Sequence, residues 1–427
     1  MEEDNQQISS LNVRSIRLYI AGHTIAALSL SLLFATINWD ILDKTDSMRA
    51  LGLVGLVQVL PIMGLVFPAG WVVDRYRKKS VLLLSCVGLI FSTLLLCFLS
   101  RNGSPLKLIY LALFLFGVAR AFFAPAKTAF FLSILPEKNK PKLLSLNSSL
   151  GQLSGAIGAS LSGVGIYLLG YWVGKHHLLD IYPLYILAGV GYFIFFMCVA
   201  SIIPPKPLNK EAVKRNVGLR FKDFFSGVSY LREHNIILGA LLLDLLAVLF
   251  GGATALLSVY AYKILGAGPI GYGLLRSATP IGAMCMALWH MKHPPMTHPG
   301  KRLIASVIGF GIVTICFGYS RWLWLSVLLM VILGALDNIS VVIRSLLLSF
   351  YTKEAMRGRV LAISNLFVNM SNELGELESG ELAHHIGAVG SVVLGGMLSI
   401  VCTVGVAFGF PALFRLPKIE TDKNTGR

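Results

Sequence analysis

Gly70-Trp71-Val72-Val73-Asp74-Arg75-Tyr76-Arg77-Lys78-Lys79 sets one acidic and four basic side chains in a short gap between two long apolar runs. The flanking runs, 47–71 and 80–100, are each long enough to cross about 30 Å of hydrocarbon as a helix, which takes about 20 apolar residues. A gap this short forces a tight turn. Asp74 can accept hydrogen bonds at a helix N-terminus and pair with an arginine, forming a latch that breaks easily. The cations anchor the turn among lipid headgroups and mark it as cytoplasmic.

Apolar runs of this kind recur along the chain. Of 427 residues, 55% are hydrophobic and only 14% charged, with a mean hydropathy of +0.73. Soluble domains carry about 25% charged residues, and a soluble core could not hide this much apolar surface. The runs predict about twelve spans, at 17–42, 47–71, 80–100, 106–131, 142–171, 183–203, 235–262, 269–291, 303–319, 322–349, 360–386 and 388–415. The fold class is therefore an all-α membrane protein.

The net charge of +16 would suit nucleic acid only if the cations formed a basic domain or stripe, and they do not. They sit in the gaps. With both termini cytoplasmic, the inner face holds Arg14 and Arg17, Arg75 to Lys79, Lys138 to Lys142, the cations of 204–235, Lys292, Lys301 and Arg302, Lys353, Arg357 and Arg359, and the tail. The bias is about four to one, as the positive-inside rule requires, and an odd number of spans would destroy it. This predicts a multi-pass protein of a bacterial inner membrane, in contact with the lipid bilayer and not with nucleic acid. The start, Met1 to Ser15, lacks the basic region and short apolar core of a secretory signal, so the first span is expected to direct insertion. Cys86, Cys97, Cys198, Cys285, Cys316 and Cys402 all fall in apolar runs without a CxxC pair, so they read as small hydrophobes. No metal and no cofactor is expected.

The longest gap runs from Pro204 to Asn235 and divides the spans six and six. It predicts an N-terminal six-helix bundle over 1–203, a cytoplasmic linker over 204–234 and a C-terminal six-helix bundle over 235–427. Within it, Leu219 to Leu231 has the pattern of an amphipathic surface helix, with Phe221, Phe224, Phe225 and Val228 on the apolar side. The halves resemble each other at an offset of 217: Ser154, Gly158 and Gly163 map to Ser371, Gly375 and Gly380, Lys127 to Arg344, and Arg120 to Asp337. A second trace, slipped by one residue, sets Gly55 and Pro61 against Gly273 and Pro280. Duplicated halves with a central linker are typical of transporters that rock around a central site.

The turn formed by Gly70, Asp74, Arg75, Arg77 and Lys78 resembles the signature loop of the major facilitator superfamily. Where the usual pattern has Gly before the last Arg, this chain has Tyr76. In that family the loop stabilises the outward-open state and breaks on inward opening, which implies that these five residues form a cytoplasmic gate. The resemblance covers essentially the whole chain. It implies two six-helix bundles related by pseudo-two-fold symmetry, acting as a monomer. Ala121 to Lys127, Leu135-Pro136, Asn147-Ser148, Gly251 to Leu257 and Ser371 to Gly380 resemble the branch holding the enterobactin exporter and macrolide-efflux-like secretion proteins. Pro125-Ala126-Lys127 is also similar to lysophospholipid transporters. Drug antiporters often carry a Gly-Pro-rich motif in the fifth helix; here Gly151, Gly155, Ala156 and Gly158 stand instead, enough for close helix packing.

A charge in hydrocarbon costs about 2.5–3.5 kcal/mol even on insertion scales, so each intramembrane charge invites a functional reading. Arg120 lies about 21 Å into its span at 1.5 Å per residue. Asp244, Arg276 and Asp337 lie within later spans, and opposite charges are expected to pair across a cavity. Glu373, Glu376, Glu378 and Glu381 share one span with His384 and His385. At i,i+3 spacing, Glu373 faces with Glu376 and Glu378 with Glu381. Four carboxylates close together and dry cannot all stay ionised, so Glu373 and Glu376 suit a proton relay, and equally a wet cavity salt-bridged to neighbouring helices. The salt-bridged reading is favoured for Glu378 and Glu381. His23, His290, His293, His298 and the pair His176-His177 read as packing or loop residues, not metal ligands.

Together these features predict a secondary active transporter: proton-coupled export, by alternating access, of a small amphipathic molecule such as a drug or siderophore. Arg120, Asp244, Arg276, Asp337, Glu373 and Glu376 would line or gate the cavity. A siderophore uptake carrier and a lysophospholipid flippase are the alternatives within transport, and a receptor that senses without transporting is the alternative outside it. There is no Walker motif for ATP and no HExxH or GxSxG for catalysis, so the chain is not read as an enzyme.

Overall fold

The computed structural model describes residues 2–136, 140–173, 181–203, 221–293 and 297–416, and its elements are all helices. Lys138, His176-His177, Pro294-Pro295, most of the 204–234 linker and the end of the tail lie outside these residues.

Hydropathy and length decide the spans. Ten of the described helices are long and apolar enough to cross a membrane. These include α1 (Glu2–Thr45), α2 (Met48–Arg75), α3 (Lys78–Arg101), α4 (Leu106–Ile134), α5 (Lys140–Val173) and α6 (Tyr182–Ser201). After α7 (Phe221–Glu233) follow α8 (Asn235–Gly251), a 3-10 turn (Ala253–Leu256), α9 (Leu257–Val259) and a π turn (Tyr260–Ile264). Then come α10 (Gly268–Lys292), α11 (Pro299–Tyr319), α12 (Leu323–Tyr351), α13 (Glu354–Gly409) and the short α14 (Pro411–Phe414). At 1.5 Å per residue α13 would be about 84 Å long, far more than one bilayer crossing. Gly387, at φ 79° and ψ 161°, breaks it into two. Helix α10 has the length of a span at 25 residues, but Arg276, His290 and Lys292 dilute its hydropathy. Counted this way, the described helices make twelve crossings.

Two readings of the sequence change. The span expected as one helix over 235–262 unwinds at Gly252, which has φ −84° and ψ 73° and is followed by the 3-10 and π turns. The Gly251-Gly252 pair allows this, since glycine in a helix interior costs about 1 kcal/mol relative to alanine. In the amphipathic helix α7 the side chains of Phe221, Phe224 and Phe225 lie outside the described residues, while the described apolar ones, Val228 among them, turn inward. Tyr230 and Leu231 join Ile237, Leu241, Leu348, Val360 and Ile363 in one buried cluster. The Tyr230 hydroxyl accepts from the Lys353 backbone N–H at 3.1 Å, and Arg359 donates to Ser226 Oγ at 3.1 Å.

The chain forms two compact units. Unit 1 is 1–46, 56–220 and 267–277; unit 2 is 47–55, 221–266 and 278–427. In unit 1, α1 packs on α5 and α6, and α3 on α4 and α6; in unit 2, α8 and α11 pack on α13, and α11 on α12. Small residues make the tightest seams. A Cβ at Gly163 would lie 2.8 Å from the Gly273 Cα in unit 1, and one at Gly380 would lie 2.6 Å from the Gly52 Cα in unit 2. Large apolar side chains face outward, with Phe408 83% and Phe91 61% exposed, as a lipid-facing surface requires.

Candidate functional site

The signature turn is only two residues long. Helix α2 ends at Arg75 and α3 begins at Lys78, with Arg77 at its N-cap in an extended conformation. Arg75 stacks on the Trp71 ring at 5.7 Å, and Tyr76 meets the same ring edge-on at 6.3 Å. Asp74 is exposed, and among the described residues no ion pair closes on it; the nearest charge acting on it is Lys78. A side chain added at Gly70 would meet nothing within 4 Å. Lys79 is the member of the turn that is tied down: its Nζ donates to the carbonyls of Ala200 and Ile202 at 2.7 and 2.8 Å, capping the end of α6.

Unit 1 gathers cations in its interior. Arg120 on α4 lies over the Phe34 ring at 5.0 Å. Two turns on, Lys127 Nζ sits 3.1 Å from His23 Nε2 of α1. The Tyr19 hydroxyl donates to the Lys127 carbonyl at 3.0 Å, and its ring is parallel to that of His23. Arg276, near the start of α10, donates to the Tyr272 hydroxyl at 3.3 Å, which in turn donates to the Ala35 carbonyl. Towards the far end of α1 a buried acid appears that the sequence reading does not single out. Asp40 pairs with Lys44 at 2.9 Å and accepts from Ser100 Oγ at 2.8 Å and the Tyr185 hydroxyl at 2.9 Å, knotting α1, α3 and α6 together. The spacing of Asp40 and Lys44, i,i+4 on one helix face, is the signal that could have found it.

Unit 2 gathers acids. Asp244 on α8 is paired with Arg344 on α12, both buried. Neither Arg120 nor Arg276 is its partner; the residue that fills that role is the repeat counterpart of Lys127. Glu373 is buried on α13, and Glu376 accepts from Thr254 Oγ1 at 3.1 Å. Thr254 belongs to the 3-10 turn after the α8 break, and the Gly252 carbonyl faces Ser379 Oγ at 3.5 Å. Further along α13, Glu378 meets Ser379 Oγ at 3.4 Å, while Glu381 pairs with Arg49 at 3.0 Å and His385 at 3.5 Å.

The break in α8 opens a cavity of about 110 Å³ inside unit 2. Its walls are apolar at Leu257, Phe310, Phe317 and Met330, and Asp337, Asn372, Thr254 and Thr279 supply the polar groups. Among the described residues no ion pair reaches the Asp337 carboxylate. The structure therefore brings Asp337 together with the Glu376 partner Thr254 in this cavity, sets it beside the ion-paired Asp244 around a smaller adjoining one, and places Arg120 and Arg276 in unit 1. An apolar lining with few polar groups suits an amphipathic solute, but about 110 Å³ is below the roughly 300–1,000 Å³ of ligand pockets, so in this conformation it has room for one ring of such a solute and not the whole.

Comparison with known proteins agrees with this architecture. The family model described as Major Facilitator Superfamily matches residues 19–375. The enterobactin exporter EntS of Citrobacter koseri is 26% identical over 401 residues, covering 92% of this chain and 87% of its own length. EntS of Escherichia coli O1:K1 / APEC matches with the same figures. Among solved structures, the nucleoside transporter NupG superposes with a TM-score of 0.71 at 12% identity over 95% of this chain and 99% of its own. A D-xylose–proton symporter gives 0.70 at 15% identity over 93% and 97%.

Proposed function

We propose, from the premise that this chain belongs to the major facilitator superfamily, that it exports a small amphipathic solute, a siderophore or a drug, in exchange for protons. The chain is a multi-pass inner-membrane transporter and not an enzyme. The observation that carries the finer reading is the cavity beside the α8 break, where the Asp337 carboxylate stands in an apolar wall. One ring of an aromatic solute would stack on Phe310 and Phe317 and use Asp337, Asn372 and Thr254 for orientation. Glu373 and Glu376, next to the same break, carry the coupling proton in this reading. The names of the EntS relatives favour a siderophore as cargo. Both chain ends are cytoplasmic, the halves divide at the 204–234 linker, the protein works as a monomer, and the Asp74 latch forms when the cytoplasmic end shuts.

The test is uptake of enterobactin into inside-out proteoliposomes with an imposed pH gradient. Gradient-driven accumulation is expected; flux indifferent to the gradient would sink coupling. Glu373→Gln that keeps the full pH dependence would remove Glu373 from the relay.

A second reading, movement of a lysophospholipid, has one observation in its favour. An apolar groove of about 700 Å³ between α2, α3 and α4 runs from Tyr76 at the basic turn to Phe91 and Leu115, a shape that suits an acyl chain. A fluorescent lysolipid moved between leaflets without a pH gradient would select this reading.

A further inference from the structure

Where α8, α11 and α12 of unit 2 converge lies a second cavity, of about 10 Å³, that neither reading above uses. That is room for about one water-sized sphere. Its polar lining is two acids and two hydroxyls: Asp244 from α8, Ser306 from α11, and Asp337 and Ser340 from α12. At i,i+3 spacing, Asp337 and Ser340 share one face of α12. Asp337 is the middle residue of that helix (Leu323–Tyr351), about 21 Å from either end at 1.5 Å per residue.

The oxygens around this cavity are rich in lone pairs and poor in protons. The Ser306 hydroxyl spends its proton on the Leu303 carbonyl at 2.8 Å, so it can offer the cavity only lone pairs. Ser340 is 4% exposed, and its Oγ has no hydrogen-bond partner. A buried hydroxyl without a partner is uncommon in a folded protein. Arg344 engages Asp244 through Oδ1, and among the described residues no other partner reaches Oδ2. Charge points the same way. Two carboxylates against one guanidinium leave a single negative charge, held at mid-span within a wall of Ala247, Val248, Val307, Phe310 and Leu336. Arg344 cannot balance it, because Asp244 already takes that charge. A carboxylate in so apolar a place calls for a positive partner.

We propose that this cavity is a binding site for one small monovalent cation, Na+, held by Asp337, Asp244, Ser306 and Ser340. Hard cations take oxygen ligands, and carboxylates and hydroxyls supply them. One positive charge balances the cluster; a divalent ion would overshoot it. A transition metal is not the fit, since among the described residues no three His, Cys, Asp or Glu come together. A proton on Asp337 would balance the charge but meet few of the lone pairs, whereas an ion at the centre meets them together. The Asp337 carboxylate, with Val248 and Phe310, also lines the larger cavity beside the α8 break. An ion in the small cavity therefore draws Asp337 away from whatever fills the larger one, and Na+ and cargo compete for one group. The ion site stands apart from the proton coupling proposed above; the competition rests on the larger cavity being the cargo site.

The experiment melts the purified full-length protein in detergent, followed by tryptophan fluorescence, with NaCl replacing choline chloride at constant ionic strength and pH. Choline is too large for a cavity of this size. A ligand that binds only the folded state raises the melting temperature with its concentration. Wild type is expected to rise with Na+, and Asp337→Asn to lose the rise. Ser340→Ala, which changes no charge, is expected to keep the rise but to need at least about tenfold more Na+, the loss that follows even for outer-shell partners of a metal. A cooperative melt in choline shows that each variant is folded. A wild-type melt indifferent to Na+ overturns the proposal, and stabilisation by acid alone would give the role to a proton on Asp337. A Na+ response unchanged in both variants puts the ion elsewhere and overturns it too. Enterobactin counterflow in proteoliposomes tests the competition. Na+ is expected to raise the half-saturating enterobactin concentration in wild type, and Ser340→Ala to need more Na+ for the same effect; a value indifferent to Na+ ends the competition. Absence of counterflow would sink the cargo reading alone, because the melts decide the ion site without it.

Discussion

Lys127 and Arg344 occupy equivalent positions in the two halves of the chain, and each reaches back to the first helix of its own half. Lys127 on α4 meets His23 on α1; Arg344 on α12 meets Asp244 on α8. Duplication has kept a cation, half-buried at Lys127 and buried at Arg344, and the helix it addresses. What differs is the partner. An acid neutralises the cation, so the unit 2 contact is an ion pair whose desolvation is offset by attraction. An imidazole leaves the charge uncompensated, so the unit 1 contact holds only while His23 is neutral. The packing, by contrast, is the same in both units. Gly163 against Gly273 in unit 1 repeats as Gly380 against Gly52 in unit 2. The duplicated backbone fixes where helices touch and where a cation sits; single side chains then decide whether its charge is neutralised.

The sharpest way to break this comparison is Asp244→Asn. It leaves the Arg344 guanidinium buried without its counter-charge, at a cost of about 3–5 kcal/mol. The expected result is a large loss of thermal stability in detergent, followed by tryptophan fluorescence, with most of it recovered in the double variant Asp244→Leu, Arg344→Leu. A double variant as unstable as the single one would show that the ion pair is not what stabilises unit 2.

Asp40→Asn is next in size. Unit 1 does contain a neutralised ion pair, towards the far end of α1, where Asp40 serves Lys44, Ser100 and Tyr185 at once. Weakening hydrogen bonds to a charged group costs about 1.5–3 kcal/mol. A smaller melting shift than for Asp244→Asn is expected. An equal one would mean that unit 1 depends on buried ion pairing as much as unit 2.

The glycine seams test the shared part. Gly163→Leu and Gly380→Leu each force a side chain into backbone only 2.6–2.8 Å from the new Cβ. Overpacking of this kind costs about 1–3 kcal/mol. Similar losses of stability and of transport are expected in both; a seam that tolerates leucine would end the equivalence of the halves.

How far the sequence shows all this depends on range. Spans and the two-residue turn follow from local hydropathy and a local cluster of charge, and both stand where the pattern puts them. The break at Gly252 is not visible, because hydropathy runs on through 235–262 and the two glycines look like the many others that membrane helices tolerate. His23 reads as a packing residue because its partner is 104 positions away on another helix. Arg344 is visible only as the repeat counterpart of Lys127, since no local pattern ties it to Asp244. Asp337 and Glu376 are legible as costly intramembrane charges, but the cavity that Asp337 lines, and that Glu376 meets through Thr254, needs the unwound turn, which only the folded chain displays.

The smallest effect is expected at Arg49→Gln, and it separates an exposed ion pair of unit 2 from the buried Asp244–Arg344 pair. Arg49 and Glu381 meet at 3.0 Å, as close as a good buried pair, yet their side chains are 58% and 41% exposed. Water already solvates both charges, so forming the pair recovers little, and double-mutant cycles on such pairs give at most about 1 kcal/mol. Salt screens what remains, because the Debye length falls to about 3 Å at 1 M. The melting shift of Arg49→Gln should therefore be slight at low salt and vanish at 1 M NaCl, while that of Asp244→Asn should survive it. A shift at Arg49 that persists in high salt would mean that Glu381 is held in a drier place than its exposure implies, and that this end of α13 belongs with the buried acids of unit 2.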